Sequence, residues 1–223
     1  MLVAAGQAFQ QLFTPSFRAI LLKCVGFTIA LLILLVIVAE WGFGHFVSLP
    51  GWVEKTIEWL GGLALIAGSV FLIPPVTSLI AGLYLDDIAG EVERVYYPAD
   101  PLGHELATLT SIGISLKFFV VIVAVNLLAL FLLLIPGINL IAFYVGNGYL
   151  LGREYFEMVA MRHLPPEDAR RLRKANMVYV TVCGLLIAGL ASVPILNLLT
   201  PLFATAFMAH IYKDLARRQL REI

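Results

Sequence analysis

Residues 19–41, "AILLKCVGFTIALLILLVIVAEW", hold no charged side chain between Lys23 and Glu40. A helix needs about 20 apolar residues to cross the hydrocarbon core of a bilayer, so this run predicts a spanning helix, TM1. The rest of the composition argues against a water-soluble globule. Hydrophobic residues make up 61% of the 223-residue chain, charged residues only 13%, and mean hydropathy is +0.93. The chain reads as an all-α integral membrane protein, a single membrane domain over residues 1–223. Every segment that enters lipid must then satisfy its backbone polar groups internally.

Residues 1–17 lack the basic start, compact apolar core and small-residue cleavage site of a secretory signal, so they are read as part of the mature chain. They predict an interfacial helix with Val3, Phe9, Leu12 and Phe13 on one side. After TM1, Gly42, Gly44, Pro50 and Gly51 among Phe43, Phe46 and Trp52 mark a short aromatic-rich loop at the interface. A second long span, TM2, covers residues 57–85 and should bend at Pro74 and Pro75, whose ring nitrogens cannot donate the helical hydrogen bond. Residues 86–110 predict an amphipathic cytoplasmic segment. There Leu85, Ile88, Val92, Val95 and Tyr96 recur at helical spacing opposite Asp86, Asp87, Glu91 and Glu93.

Residues 112–152 are apolar again but are interrupted by "IPGIN", and the arm after the break runs for only about a dozen positions, short of a ~30 Å core at ~1.5 Å per residue. This predicts a helical hairpin broken at Pro136 with Asn139 at its apex. The charged block 153–175 divides at Pro165 and Pro166 into two cytoplasmic helices. Glu167 and Asp168 fall in the first turn of the second, and Arg170, Arg171, Arg173 and Lys174 towards its end, as the helix dipole prefers. Residues 177–212 repeat the pattern of apolar arm, Pro break and apolar arm, and residues 213–223 form a basic tail. Laying Pro136 over Pro194 also lays Asn139 over Asn197, so "IPGINL" and "VPILNL" are candidate copies of one hairpin unit. Arg18 and Lys23, the 153–175 block and the tail should all face the cytoplasm, both termini included. That orientation fits two hairpins that enter and leave on one side, and it fits six full spans equally.

Asn139 and Asn197 stand where irregular backbone enters the membrane; each amide either caps a broken helix or faces a hydrophilic path. The carboxylates 86, 87, 91 and 93 form either a solvated, charge-paired face or a charge network, with Glu91, Arg94 and Arg170 as its candidate members. Adjacent carboxylates at 86 and 87 point about 100° apart on a helix and make no catalytic pair. His45, His104, His163 and His210 are scattered, and Cys24 and Cys183 sit in apolar segments as packing residues, so no metal site is expected. No nucleophile elbow, HExxH, phosphate loop or dinucleotide fingerprint occurs. The glycines of "GNGYLLG" follow a membrane arm and are read as close helix packing. Fifteen Lys+Arg balance fifteen Asp+Glu, which with the absence of a nucleic-acid-binding motif argues against a nucleic-acid partner. No enzymatic activity and no cofactor are expected.

In order and spacing, "LFTPSFRAILLK", "PPVTSLIAGLYLDDIAGEVE", "IPGIN", "EYFEMVAMRHLPPEDARRLRKANM" and "VPILNLLTPLFATAF" resemble the CysZ family of sulfate permeases, within the superfamily that includes the etoposide-induced proteins. The resemblance implies an inner-membrane homo-oligomer with two long spanning helices and two partly penetrating hairpins. It also implies sulfate uptake that supplies cysteine synthesis without nucleotide hydrolysis. The family's sulfate site lies near the start of the first long helix, in a Pro-Gly-Leu-Arg-Arg-like stretch. The aligned residues here are Pro15, Ser16, Phe17, Arg18 and Ala19, with one arginine kept and the glycine and second arginine replaced. Thr14, Ser16 and Arg18 could gather hydroxyls, free N–H groups and a guanidinium around a small oxyanion at a helix N-terminus. Arg18 could equally anchor the helix among headgroups. A competing reading is a non-transporting scaffold or assembly factor whose basic cytoplasmic helices bind a partner or anionic lipid.

Overall fold

The computed structural model describes residues 1–46, 59, 61, 84–104 and 138–221. Within them the ordered elements are helices: α1 (Leu2–Gln11), α2 (Pro15–Phe46), α3 (Leu85–Tyr96), α4 (Ile138–Ala160), α5 (Pro166–Ala175), α6 (Met177–Ala191), the single turn α7 (Pro194–Asn197) and α8 (Thr200–Arg221). Most of TM2, the outgoing arm of the first predicted hairpin and its break at Pro136 lie outside the described residues.

The chain turns between α1 and α2 at Thr14, whose N–H and hydroxyl both donate to the carbonyl of Gln11, at 2.9 and 2.7 Å. Pro15 then opens α2, where its missing N–H costs nothing and its fixed φ suits the first turn. Among the described residues α2 is the one helix that is by itself long and apolar enough to cross a membrane. Its most apolar window has mean hydropathy 2.8 and is only 17% buried. Leu22, Phe27, Ile33 and Ile37 are each more than half exposed, as on a helix that is apolar all round and meets lipid. Phe17, Cys24, Thr28 and Leu32, recurring every one or two turns, are the buried stripe that faces the rest of the chain.

The tightest packing joins α4 to α6, and glycine makes it possible. A β-carbon on Gly184 would collide with the Gly148 carbonyl oxygen and lie 2.6 Å from the Gly152 nitrogen. One on Gly152 would lie 2.5 Å from the Val180 carbonyl oxygen, and one on Gly148 2.5 Å from Leu185 Cδ2. Two of the three "GNGYLLG" glycines therefore do serve close helix packing, as small residues do where helix backbones meet. Gly146, the third, has open space beside it. Farther along the crossing, Tyr144 Oη donates to the Leu185 carbonyl at 2.9 Å.

α8 is the hub of the fold: α1, α3, α4 and α6 all pack on it. Its buried residues include Phe203, Phe207, Met208, Ile211 and Tyr212. α6 and α8 run antiparallel, with Arg218 over the Tyr179 ring (6.0 Å) at one end and α7 joining them at the other. Fifteen residues long, α6 spans about 22 Å at ~1.5 Å per residue. Before it, α5 begins at Pro166, carries Glu167 and Asp168 in its first turn and Arg173 and Lys174 in its last, and meets α6 at a 91° bend.

Two helix faces differ from the sequence expectation. α1 buries Ala8, Gln11 and Leu12, while Val3, Phe9 and Phe13 stay exposed, because small side chains let it lie close against α8. α3 buries Glu93 together with Ile88 and Val92 and leaves Val95 61% exposed. Apolar periodicity alone put Glu93 on the outer face; the ion pairs described next draw it inward.

Candidate functional site: a charged cleft at the foot of the first span

Glu93 is 1% exposed, and a carboxylate so placed is tolerated only when it is fully paired. Its partners come from two other segments. The first is the turn that ends α4, where Arg162 is 4% exposed and donates to Glu93 from Nε (3.3 Å) and Nη2 (3.2 Å). The same guanidinium reaches Asp86, two turns nearer the start of α3 on the same face, with Nη1 2.5 Å from Oδ1 and 3.1 Å from the backbone carbonyl. His163 Nε2 lies 2.9 Å from Glu93 Oε1. The second segment is the loop after α3, where the Gly103 N–H donates to Glu93 Oε2 at 2.9 Å. Burial by itself would raise the Glu93 pKa; the hydrogen bonds from His163, Arg162 and Gly103 outweigh it and bring the value down to about 2. The burial of Arg162, which lowers its pKa, is likewise outweighed by the two carboxylates, so its pKa is raised.

Gly103 is the residue this cluster requires in the loop. A β-carbon there would stand 2.8 Å from Arg162 Cβ and 3.0 Å from His163 Nε2. The His104 N–H bonds to the Arg162 carbonyl at 2.8 Å, and Asp100 meets Lys213 (3.5 Å) and Arg217 (3.4 Å) on α8. Tyr97 Oη and His210 Nδ1 share a hydrogen bond at 2.8 Å. Residues 97–104 are thereby tied to both α4 and α8.

Beside the cluster is a cleft of about 380 Å³ between the start of α2 and α3, lined by Ser16, Ala19, Ile20 and Lys23 on one wall and Asp86, Asp87, Glu91 and Arg94 on the other, with Arg162 and Gly103 at its floor. Asp86 and Glu93 are engaged by Arg162, whereas Lys23, Arg94, Asp87 and Glu91 form no ion pair among the described residues. The cleft therefore sets Lys23 and Arg94 with Asp87 and Glu91 at its mouth, and at its base one guanidinium between two carboxylates, with His163 on the second.

The sequence-derived candidates distribute unevenly around this geometry. Ser16 lines the cleft. Arg18, two residues on and about 200° round the helix, is exposed, faces away from it and pairs with no described residue. Thr14 is exposed and spends its hydroxyl hydrogen on Gln11. Glu91 and Arg94 line the cleft together; Arg170 stands apart, exposed on α5. Asn197 ends α7 half-buried, and its amide makes no hydrogen bond to the described residues. Asn139 lies in the first turn of α4. Sequence reasoning missed Arg162 and His163. The signal was their position at the end of an apolar-faced helix just before the Pro165–Pro166 break, where a charged pair can turn inward.

The described residues contain no group of three or more His, Cys, Asp or Glu able to hold a metal, and the charges converge on a cleft at the foot of an apolar helix rather than on a nucleophile. That architecture defines a helical membrane protein with a charged vestibule. The chain matches the family described as Sulfate transporter CysZ/Etoposide-induced protein 2.4 over residues 4–201, and it belongs to that family. One of the two names in that description is a sulfate transporter's. No curated protein matches the chain.

Proposed function

We propose that the protein is an inner-membrane permease for a small oxyanion, sulfate in the first place, that serves sulfur assimilation as a homo-oligomer with both termini cytoplasmic. The observation that carries this reading is the location of the cleft. It opens at the foot of the one long apolar helix among the described residues and brings Lys23 and Arg94, free of ion pairs among those residues, beside a base where Arg162 and His163 already engage Asp86 and Glu93. An anion is captured at the first turn of α2, where Arg18 supplies a charge and Thr14 and Ser16 supply hydroxyls beside N–H groups that have no helical acceptor. Ser16, round the helix from Arg18 on the cleft wall, hands it on to Lys23 and Arg94, with Glu91 and the carboxylates behind it favouring onward movement over tight retention. Asn139 and Asn197, at the turns of two hairpins that penetrate part of the bilayer, replace part of its hydration shell. The amide of Asn197, which bonds to no described residue, supports that role over capping.

Labelled-sulfate flux into liposomes containing only this protein tests the reading, with selenate, phosphate and chloride as competitors. Arg18→Ala should slow flux about tenfold at matched insertion, the worth of a charge-assisted hydrogen bond. Unchanged flux would remove Arg18 from the path, and absence of sulfate flux from the unaltered protein would remove the permease reading. The alternative is a scaffold that carries no solute and draws on the exposed cations of α5; a stoichiometric protein partner with no anion flux would favour it.

A further inference from the structure

The cations of α5 stand apart from the cleft and take no part in the buried cluster. Arg171 is 79% exposed, its one ion pair among the described residues being with Asp168 at 3.6 Å on the same helix. Lys174 is exposed and pairs with no described residue. α8 brings a further cation to the first turn of α6: Arg218, 61% exposed and held by Asp214, lies over the ring of Tyr179. Glu167 and Asp168 lie in the first turn of α5 and Arg173 and Lys174 in its last, so the helix is acidic at its start and basic at the elbow.

The elbow is also built to stay as it is. Arg173 turns inward and donates to Glu157 at 2.6 Å, Asn176 Nδ2 closes α5 on the Leu172 carbonyl at 3.0 Å, and the axis then turns by 91°. Immediately below the cations, Met177 and Val178 are 49% and 78% exposed. The exposed apolar strip continues along α6 through Val182 and Leu186. A surface with fixed cations on one side of a right angle and exposed aliphatic side chains on the other matches a molecule that has a phosphate at one end and hydrocarbon along its length.

We propose that the α5–α6 elbow is a binding site for an anionic diacyl phospholipid, its phosphate held by Arg171, Lys174 and Arg218 and one acyl chain lying along α6. An acidic peptide would satisfy the cations but leave the aliphatic strip uncovered. Tyr179, in the first turn of α6, adds an aromatic side chain of the kind enriched at membrane interfaces. The proposal rests on the protein being a membrane protein and is independent of which solute it carries.

The test is native mass spectrometry of the full chain in detergent, equilibrated with equal amounts of phosphatidylglycerol and phosphatidylcholine. Phosphatidylglycerol should be retained preferentially, and the preference should fall about fivefold for each charge removed in Arg171→Gln and Lys174→Gln. Val178→Asp should lower the retention of both lipids. In the unaltered protein the preference should weaken as salt is raised, a reading that needs no variant to fold. Equal retention of the two lipids, a preference indifferent to salt, or one unchanged in the double variant would overturn the proposal. Complete displacement by inorganic phosphate at the lipid's own concentration would mean a bare anion site and would overturn it too. Since the readout involves no transport, a failure here and a failure of the permease reading are distinguishable.

Discussion

Arg162 and Arg171 lie nine positions apart in the sequence and meet opposite fates: the first is 4% exposed and makes bonds to two carboxylates, the second is 79% exposed and touches one exposed aspartate. The two segments are equally rich in charge. What separates them is the surface each faces. Arg162 turns towards α3, where Glu93 and Asp86 can pay for its desolvation; Arg171 turns outward, where water or headgroups do the same work. A buried charge of this kind holds parts of the chain in register, whereas an exposed one sets where the chain meets its surroundings. The number of charges in a segment is therefore a poor guide to their role.

The largest effect should come from breaking the buried side of this contrast. Arg162→Met leaves Glu93 without its guanidinium in a site that excludes water, and should cost about 3–5 kcal/mol, read as a loss of thermal stability in detergent. A smaller value would mean that water reaches Glu93. Gly184→Ala takes charge out of the comparison. Its methyl group must part α4 from α6 at a backbone contact and should cost about 1–3 kcal/mol, with cross-linking between the two helices reduced.

The third measurement uses pH. Because the Glu93 pKa is depressed to about 2 in the folded protein from an ordinary 4.5, its contribution is fully present above that ordinary value and is lost as pH falls through the folded one. Unfolding midpoints should therefore decline between about pH 4.5 and 2, and Glu93→Gln should flatten that decline while costing about 2 kcal/mol at neutral pH. The smallest effect belongs to the exposed side: Arg171→Ala should change stability by less than about 0.5 kcal/mol. A loss as large as that of Arg162→Met would erase the distinction between the two regions.

Much of the fold was legible in the sequence because its signals are local. The apolar run of α2, the Pro165–Pro166 break, the dipole-matched charges of α5 and the close-packing glycines at 148 and 152 each follow from a few neighbouring residues. The site was less legible because it depends on contacts between distant segments. Glu93 meets Arg162, His163 and Gly103 only once α3, the loop after it and the end of α4 converge. Periodicity assigned Glu93 to the solvent side since nothing near it in sequence announces a buried cation. Ser16 and Arg18 read as one cluster along the chain, yet helical geometry turns them to opposite sides of α2.

The narrow stripe of Phe17, Cys24, Thr28 and Leu32 gives α2 a mechanical character of its own. Its apolar part, Pro15–Val38, has 24 residues, about 36 Å at ~1.5 Å per residue, against a hydrocarbon core of ~30 Å. Its inclination thus answers to the thickness of the bilayer around it. Its foot carries Ser16 and Lys23, while the opposite wall of the cleft is fastened by Arg162. One wall of the cleft thus belongs to the part of the chain whose surroundings are lipid, and the other to the part held by buried ion pairs.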